Sequence, residues 1–263
     1  MYYPEINPVA LDLGVAKIHW YGLMYMLAFI AAWYLGSWRA RQPNSGWKEL
    51  EFQDLLFYGA LGVILGGRFG YILFYDLENY IQNPLNMLKI WQGGMSFHGG
   101  LLGVIIAMML FAKKTNRTFF QVADYSAPLI PPGLFFGRIG NFINGELWGA
   151  ETDSIFGMII RHPRLGDLPA RHPSQLYEAA LEGLLLFIIL WWFSSRPRPL
   201  MAISGLFLLG YGSFRFLVEF VRMPDAHLGY LAWGWVTMGQ VLSLPMIIIG
   251  CGFIYWGYRR HPV

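Results

Sequence analysis

Charge is what this sequence has least of. Of its 263 residues only 13% are Asp, Glu, Lys or Arg, against 56% hydrophobic and 17% aromatic. Soluble domains carry about 25% charged residues. A body of this size with half that charge has too little polar surface to face water, and disorder is excluded for the same reason. Cys251 is the sole cysteine, which excludes a disulfide scaffold. The glycines follow no collagen period. The net charge of +3 gives no sign of a nucleic-acid partner. No internal repeat is visible. The first residues carry Glu5 and Asp12 and no basic stretch, so a removable signal peptide is not expected.

Long apolar runs fill the space that charge leaves. Ile18–Trp38, Ile90–Ala112 and Tyr230–Tyr258 hold no Asp, Glu, Lys or Arg over 21, 23 and 29 residues. Four other stretches qualify with one or two interruptions: Arg68, Asp124, the pair Glu178 and Glu182, and the pair Arg215 and Glu219. A helix needs about 20 apolar residues to cross a bilayer, and barrel strands only about 10. The expectation is therefore an all-α polytopic membrane protein with seven transmembrane helices, near 18–38, 55–75, 94–112, 119–138, 174–193, 200–220 and 233–256. The whole chain, 1–263, reads as one integral-membrane domain.

Arg39, Arg41, Lys48, Lys113, Lys114, Arg117, Arg196, Arg198, Arg259 and Arg260 all follow odd-numbered spans and make up ten of the 19 basic residues. Basic residues collect on the cytoplasmic side, which puts the N-terminus outside (periplasmic) and the C-terminus inside. Residues 150–173, the longest polar stretch, then form a small extracytoplasmic insert. Residues 76–95 have room for a short interfacial helix.

The informative residues are the few charges at span depth, because a central arginine costs about 2.5–3.5 kcal/mol on insertion scales. Arg68, Arg138, Arg215 and Arg222 are the cations, with Asp124, Glu146 and Glu219 as counter-charges. Arg215, Glu219 and Arg222 fall on one helix face by their spacing. Two readings stand side by side: a self-neutralising structural cluster, or guanidinium forks that grip a phosphate bidentately. Gly62-x-x-x-Gly66-x-x-x-Gly70, Gly99-x-x-x-Gly103 and Gly133-x-x-x-Gly137 are small-residue seams of the kind that bring helices close. His98, flanked by glycines in GGMSFHGGLLG, is either an interfacial histidine or a reactive one.

The run GRIGNFINGELWG (Gly137–Gly149) resembles the signature of the bacterial prolipoprotein diacylglyceryl transferases. HWYGLMY (His19–Tyr25), HGGLLG (His98–Gly103), RHPSQLYE (Arg171–Glu178) and YGSFRFLVEFVR (Tyr211–Arg222) resemble the family's other blocks in the family's order. The family's seven spans with the N-terminus outside agree with the topology counted above. The resemblance implies a multi-pass protein of the bacterial inner membrane, surrounded by bilayer lipids, whose partners are phosphatidylglycerol and a preprolipoprotein signal peptide with its lipobox cysteine. It moves the diacylglyceryl group to that cysteine's thiol, forms a thioether and releases glycerol phosphate. No cofactor or metal is implied.

Leaving-group charge grows in such a reaction, so fixed cations are the main catalytic need. Under this resemblance Arg138 holds the headgroup and Arg215 stabilises the departing phosphate. His98 is the candidate base, with Glu219 or Glu146 in reserve. Arg138, Asn141, Asn144, Glu146, Gly149, Tyr21, Arg222 and Arg68 are the candidate phosphatidylglycerol-binding residues. Cys251 lies away from every motif and is expected to be a small apolar residue, not a nucleophile. The rival class is a transporter or lipid-headgroup translocator, which also uses buried arginines.

Overall fold

The computed structural model describes residues 1–14, 17–43, 45–89, 93–162, 166–224 and 229–260, and most of these are helical. They group into two compact units, one of residues 33–123 and one of residues 1–32 with 124–263.

The unit of residues 33–123 is organised by two helices, α2 (Glu49–Tyr75) and α4 (Phe97–Lys114), joined through the short α3 (Leu77–Gln82) and a 3₁₀ turn at Pro84–Leu88. The first two glycine seams meet each other here. A methyl group on Gly62 would sit 2.6 Å from the Gly103 carbonyl oxygen, and one on Gly70 would sit 2.7 Å from Gly99 Cα. The two backbones are in contact, which is what small residues at four-residue spacing permit. Ser96 caps α4 by accepting from Gly99 N at 3.2 Å, and Gly93 and Gly94 before it take positive φ of 84° and 77°. Helix therefore begins at Phe97, three residues later than the expected span 94–112. At the other end Arg117 pairs with Glu51 at 2.6 Å and lies over the Trp47 ring.

The second unit opens with an antiparallel pair, β1 (Val9–Asp12) and β2 (Lys17–His19), which leads into α1 (Trp20–Ala40). The chain returns to this unit at Asp124, within α5 (Phe119–Ser126), which a 3₁₀ turn at Ala127–Leu129 and α6 (Ile130–Ile143) follow. A Thr118/Gln121 capping box starts α5. Pro128, Pro131 and Pro132 explain why this stretch is not one helix, since proline removes a donor and crowds the preceding turn.

Next come α7 (Ser174–Glu178), a wide π-helical turn at Ala179–Leu185, and α8 (Leu186–Phe193). Then follow α9 (Ala202–Val218) and α10 (Met238–Arg260). Ala127, Leu186, Leu190 and Ile203 form a buried core with Phe207, Tyr211 and Phe214 packed on it. Asp124 fixes the start of α9 from another helix, accepting from the backbone N–H of Met201 and of Ser204, each at 2.8 Å, and from the Ser204 hydroxyl. A helix N-terminus, with its exposed N–H groups, favours such an anion.

Four helical runs, Glu49–Tyr75, Phe97–Lys114, Ser174–Phe193 and Met238–Arg260, are long and apolar enough to cross a membrane; Ala202–Val218 is apolar and shorter. Leu65, Leu102, Ile188 and Ile248 stand half-exposed or more on four of these helices, as expected of surfaces meant for lipid. Helix α10 starts five residues after the expected position because Thr237 and Gln240 form a reciprocal capping box. Gly133 and Gly137, the third seam, do not bring helices together: only Ala28 comes within 4.0 Å of a methyl on Gly133, and nothing comes within 4 Å of one on Gly137.

In the insert, β3 (Arg161–His162) and β4 (Gly166–Asp167) pair antiparallel. Single bridges join Glu151 and Met158 to Arg171, and Tyr2 to Ile159. Residues 163–165 lie outside the described residues.

Candidate active site

Two separate pieces of backbone deliver three arginines to one carboxylate. Arg138 comes from α6, Arg215 from the last turn of α9, and Arg222 from the turn after it. Glu178, the last residue of α7, is fully buried and meets all three. Its Oε2 ion-pairs with Arg138 Nε at 2.7 Å and accepts from Arg215 Nη1 at 3.0 Å, while its Oε1 accepts from Arg222 Nη1 at 2.6 Å.

Glu219 is the second hub. It pairs with Arg215 Nη2 at 2.6 Å and Arg222 Nε at 3.2 Å, and accepts from Thr237 Oγ1 at 2.6 Å. Gly239 makes room for it, since a methyl there would lie 2.5 Å from Glu219 Oε1. Glu182, one turn beyond Glu178, stands 3.9 Å from Arg215, and its buried oxygens accept no hydrogen bond among the described residues.

The local backbone is shaped for this convergence. The π turn at Ala179–Leu185 directly follows Glu178; such single wide turns interrupt α-helices most often at functional sites. Gly183 lets this turn lie against α6, where a methyl would sit 2.6 Å from Phe135 Cβ. The side chains of Arg138, Arg215 and Arg222 are 22%, 18% and 13% exposed, those of Glu178, Glu182 and Glu219 only 0%, 0% and 4%. The carboxylates are thus buried and the arginines partly exposed.

A second network continues from Arg138 into the turn that follows α6. Arg138 Nη1 donates to Asn141 Oδ1 at 3.3 Å, and Asn141 Nδ2 donates to Glu146 Oε1 at 2.8 Å. Asn144 Nδ2 donates to the same oxygen at 3.4 Å. The Tyr21 ring packs on Gly140, where a methyl would come within 2.9 Å of it, and the Tyr21 hydroxyl lies 3.4 Å from that of Tyr25. The Tyr3 hydroxyl donates to the Phe142 and Ile143 carbonyls at 2.8 and 3.0 Å, tying the N-terminal segment to the end of α6; burial pushes its phenol up from the usual range.

A sequence model described as prolipoprotein diacylglyceryl transferase matches residues 8–256. The chain belongs to the prolipoprotein diacylglyceryl transferase family. Relatives named phosphatidylglycerol–prolipoprotein diacylglyceryl transferase bear this out along the full length. The protein from Oleidesulfovibrio alaskensis is 62% identical over 98% of this chain and 96% of its own. That from Hydrogenovibrio crunogenus is 59% identical over 99% and 98%, and that from Coxiella burnetii 57% over 99% and 98%.

Of the residues expected at the site of this prolipoprotein diacylglyceryl transferase family member, the structure brings together Arg138, Arg215, Glu219 and Arg222, with Asn141, Asn144 and Glu146 extending from them. Gly149 is buried between backbone segments: its N–H donates to the His172 carbonyl at 2.8 Å, and a methyl there would sit 2.9 Å from His172 Cβ. It holds the end of the turn in place. Arg68 and His98 belong to the unit of residues 33–123. Arg68 is buried and gives its donors to the carbonyls of Asn86, Met87, Lys89, Gly93 and Gly94, at 2.6–3.2 Å, so it clasps the segment after α3. That use of its donors departs from the headgroup-binding role expected for it. His98 is exposed on the first turn of α4, edge-on to Phe97. Cys251 is exposed on α10.

Glu178 and Glu182 were absent from the expected site. Their signal was in the sequence: two glutamates four apart inside an apolar run of helical length, where an unpaired carboxylate is costly and a partner is required.

Proposed function

We propose that the Arg138–Arg215–Arg222 cluster is the phosphate-binding centre of a phosphatidylglycerol–prolipoprotein diacylglyceryl transferase. The observation that carries this is the convergence of charge: three partly exposed arginines pair with one fully buried carboxylate, Glu178, that fixes their directions. In the reaction the thiolate of a preprolipoprotein's lipobox cysteine attacks the diacylglyceryl carbon that bears the phosphodiester oxygen. The S–C bond forms, the C–O bond breaks, and its electron pair leaves on glycerol phosphate. The leaving group gains negative charge as it departs, and preorganised cations stabilise that change without reorganising. Arg138 holds the headgroup phosphate and Arg215 the oxygen that accumulates charge, with Arg222 beside them.

The thiol proton needs an acceptor. Glu219 is engaged with two arginines and Thr237, and Glu146 with two asparagines. By the chemistry of its side chain His98 is the candidate base, with Glu219 or Glu146 as the alternatives. Near-normal transfer by a His98→Gln variant would remove it from that role.

The finer topology belongs to the same proposal: seven crossings in a bacterial inner membrane, N-terminus and the 150–173 insert outside, C-terminus inside. The ten basic residues after odd-numbered spans support it. The test is purified protein with phosphatidylglycerol vesicles and a lipobox peptide. Release of glycerol phosphate that requires the peptide thiol supports transfer. Flip-flop of labelled lipid with no release supports the translocator instead.

A further inference from the structure

Ser174 and Gln175 of the RHPSQLYE block are fully buried, yet neither belongs to the arginine cluster. Both side chains act on the turn after α6. The Ser174 hydroxyl donates to the Leu147 carbonyl at 2.9 Å, and Gln175 Nε2 donates to the Glu146 carbonyl. That turn is unusual. Gly145 and Leu147 both take left-handed backbone, with φ of 67° and 62°, and a branched apolar residue such as leucine adopts it only when its surroundings impose it. Between them Glu146 points its carboxylate back to Asn141 and Asn144.

These contacts close a ring. Gln175 holds the Glu146 carbonyl, the Glu146 carboxylate accepts from Asn141, Asn141 accepts from Arg138, and Arg138 pairs with Glu178. Gln175 and Glu178 are three residues apart on α7, hence on the same face. One short helix thus grips Arg138 twice, directly through a carboxylate and indirectly through the turn. Gln175 Oε1 is buried with no hydrogen-bond partner among the described residues. A buried amide that leaves its acceptor unpaired is poorly explained by stability.

We propose that Gln175, with Ser174, is a positioning residue for phosphatidylglycerol, setting the direction of the Arg138 guanidinium through Glu146 and Asn141. This rests on the transferase reading. The decisive variant is Gln175→Met, which keeps the volume, deletes the unpaired oxygen and deletes the donor to the turn. The assay is thiol-dependent glycerol phosphate release by the purified full-length chain, with KM measured for phosphatidylglycerol and for the lipobox peptide.

The expected result is a rise of roughly tenfold in KM for phosphatidylglycerol, as displacing one binding group costs. KM for the peptide should stay near the parent value, and the thermal midpoint should fall by only a few degrees, as the loss of one hydrogen bond costs. Combined with Asn141→Ala, the loss should be no greater than that of the larger single variant, because both cut the same ring. Ser174→Ala should shift the same KM in the same direction by less. The proposal is overturned if Gln175→Met leaves KM for phosphatidylglycerol within twofold. It is also overturned if the two losses multiply, or if the only change is less active protein at unchanged KM. Absence of release by the parent chain sinks the transferase reading itself, so the two failures are distinguishable.

Discussion

Glu178→Gln is the substitution on which the architecture of the site depends most. It keeps the shape of the side chain and removes one charge at a point that three arginines share, at 2.7, 3.0 and 2.6 Å. At an effective dielectric of about 20, each contact near 3 Å carries an attraction of roughly 5 kcal/mol before desolvation is subtracted. The net cost is far smaller than the sum, since Arg215 and Arg222 keep Glu219, Arg138 keeps Asn141, and all three regain some hydration. Removal of one partner from a buried ion pair typically costs about 3–5 kcal/mol, and the fully buried position of Glu178 puts it in that class.

For a chain of this size that corresponds to a fall of roughly 6–20 °C in thermal midpoint, measurable in detergent by intrinsic tryptophan fluorescence. Activity should fall further than stability explains. Arg138 and Arg222 each lose one of the two carboxylate or amide contacts that direct them, and misdirected catalytic groups cost about 10²-fold. Glu178→Asp should not rescue, because a carboxylate drawn back by one methylene cannot meet three guanidinium groups at once. A Glu178→Gln protein that melts within 2 °C of the parent and retains a third of its turnover would refute the view that this carboxylate organises the site.

Glu182→Gln should behave oppositely to its neighbour: the buried oxygens accept no hydrogen bond among the described residues and the nearest cation is 3.9 Å away, so the amide should cost at most about 1 kcal/mol. Equal damage from the two glutamine variants in the same melting and release assays would contradict this. Asp124→Ala leaves the first N–H groups of α9 without their acceptor and should destabilise by about 1–2 kcal/mol, read from denaturation in mixed micelles, with KM for phosphatidylglycerol unchanged in the surviving protein. Gly70→Leu forces a side chain into the Gly99 backbone and should cost at least about 3 kcal/mol; the same change at Gly137, where the structure is open, should be tolerated, and reversed outcomes in expression and melting would discredit the seam assignment.

Local patterns were legible where the partners lie close in sequence. Arg215, Glu219 and Arg222 were placed on one face from spacing alone, and the structure pairs them at 2.6 and 3.2 Å. The two capping boxes, Thr118/Gln121 and Thr237/Gln240, are written in the sequence as T-x-x-Q and set the starts of α5 and α10. What depends on distant pairing was not legible. Glu178 meets Arg215 and Arg222 from 37 and 44 residues away, and Asp124 meets α9 from 77 and 80. A glutamate in an apolar run announces that it has a partner but not which one. The glycine seams show the same limit: three share one spacing, two are in contact, and Gly133 with Gly137 simply lie where little packs against them.

The two meanings first open for buried arginines, self-neutralising cluster and anion grip, are compatible in this arrangement. A guanidinium group without a carboxylate nearby would be costly to bury and free to turn. One wholly enclosed by carboxylates would have no donors left for a ligand. Here the exposure is unequal: Glu178 and Glu219 are buried, and Arg138, Arg215 and Arg222 keep 13–22% of their side-chain surface open. Five fork-shaped donors per guanidinium exceed the contacts that two carboxylates and Asn141 draw from the three arginines. The same glutamates that make the partly buried arginines tolerable therefore also fix the directions of the donors that remain. Both conditions fall on Glu178, which is why losing its charge should cost folding and turnover together, whereas Gln175, which bears mainly on direction, should cost chiefly binding.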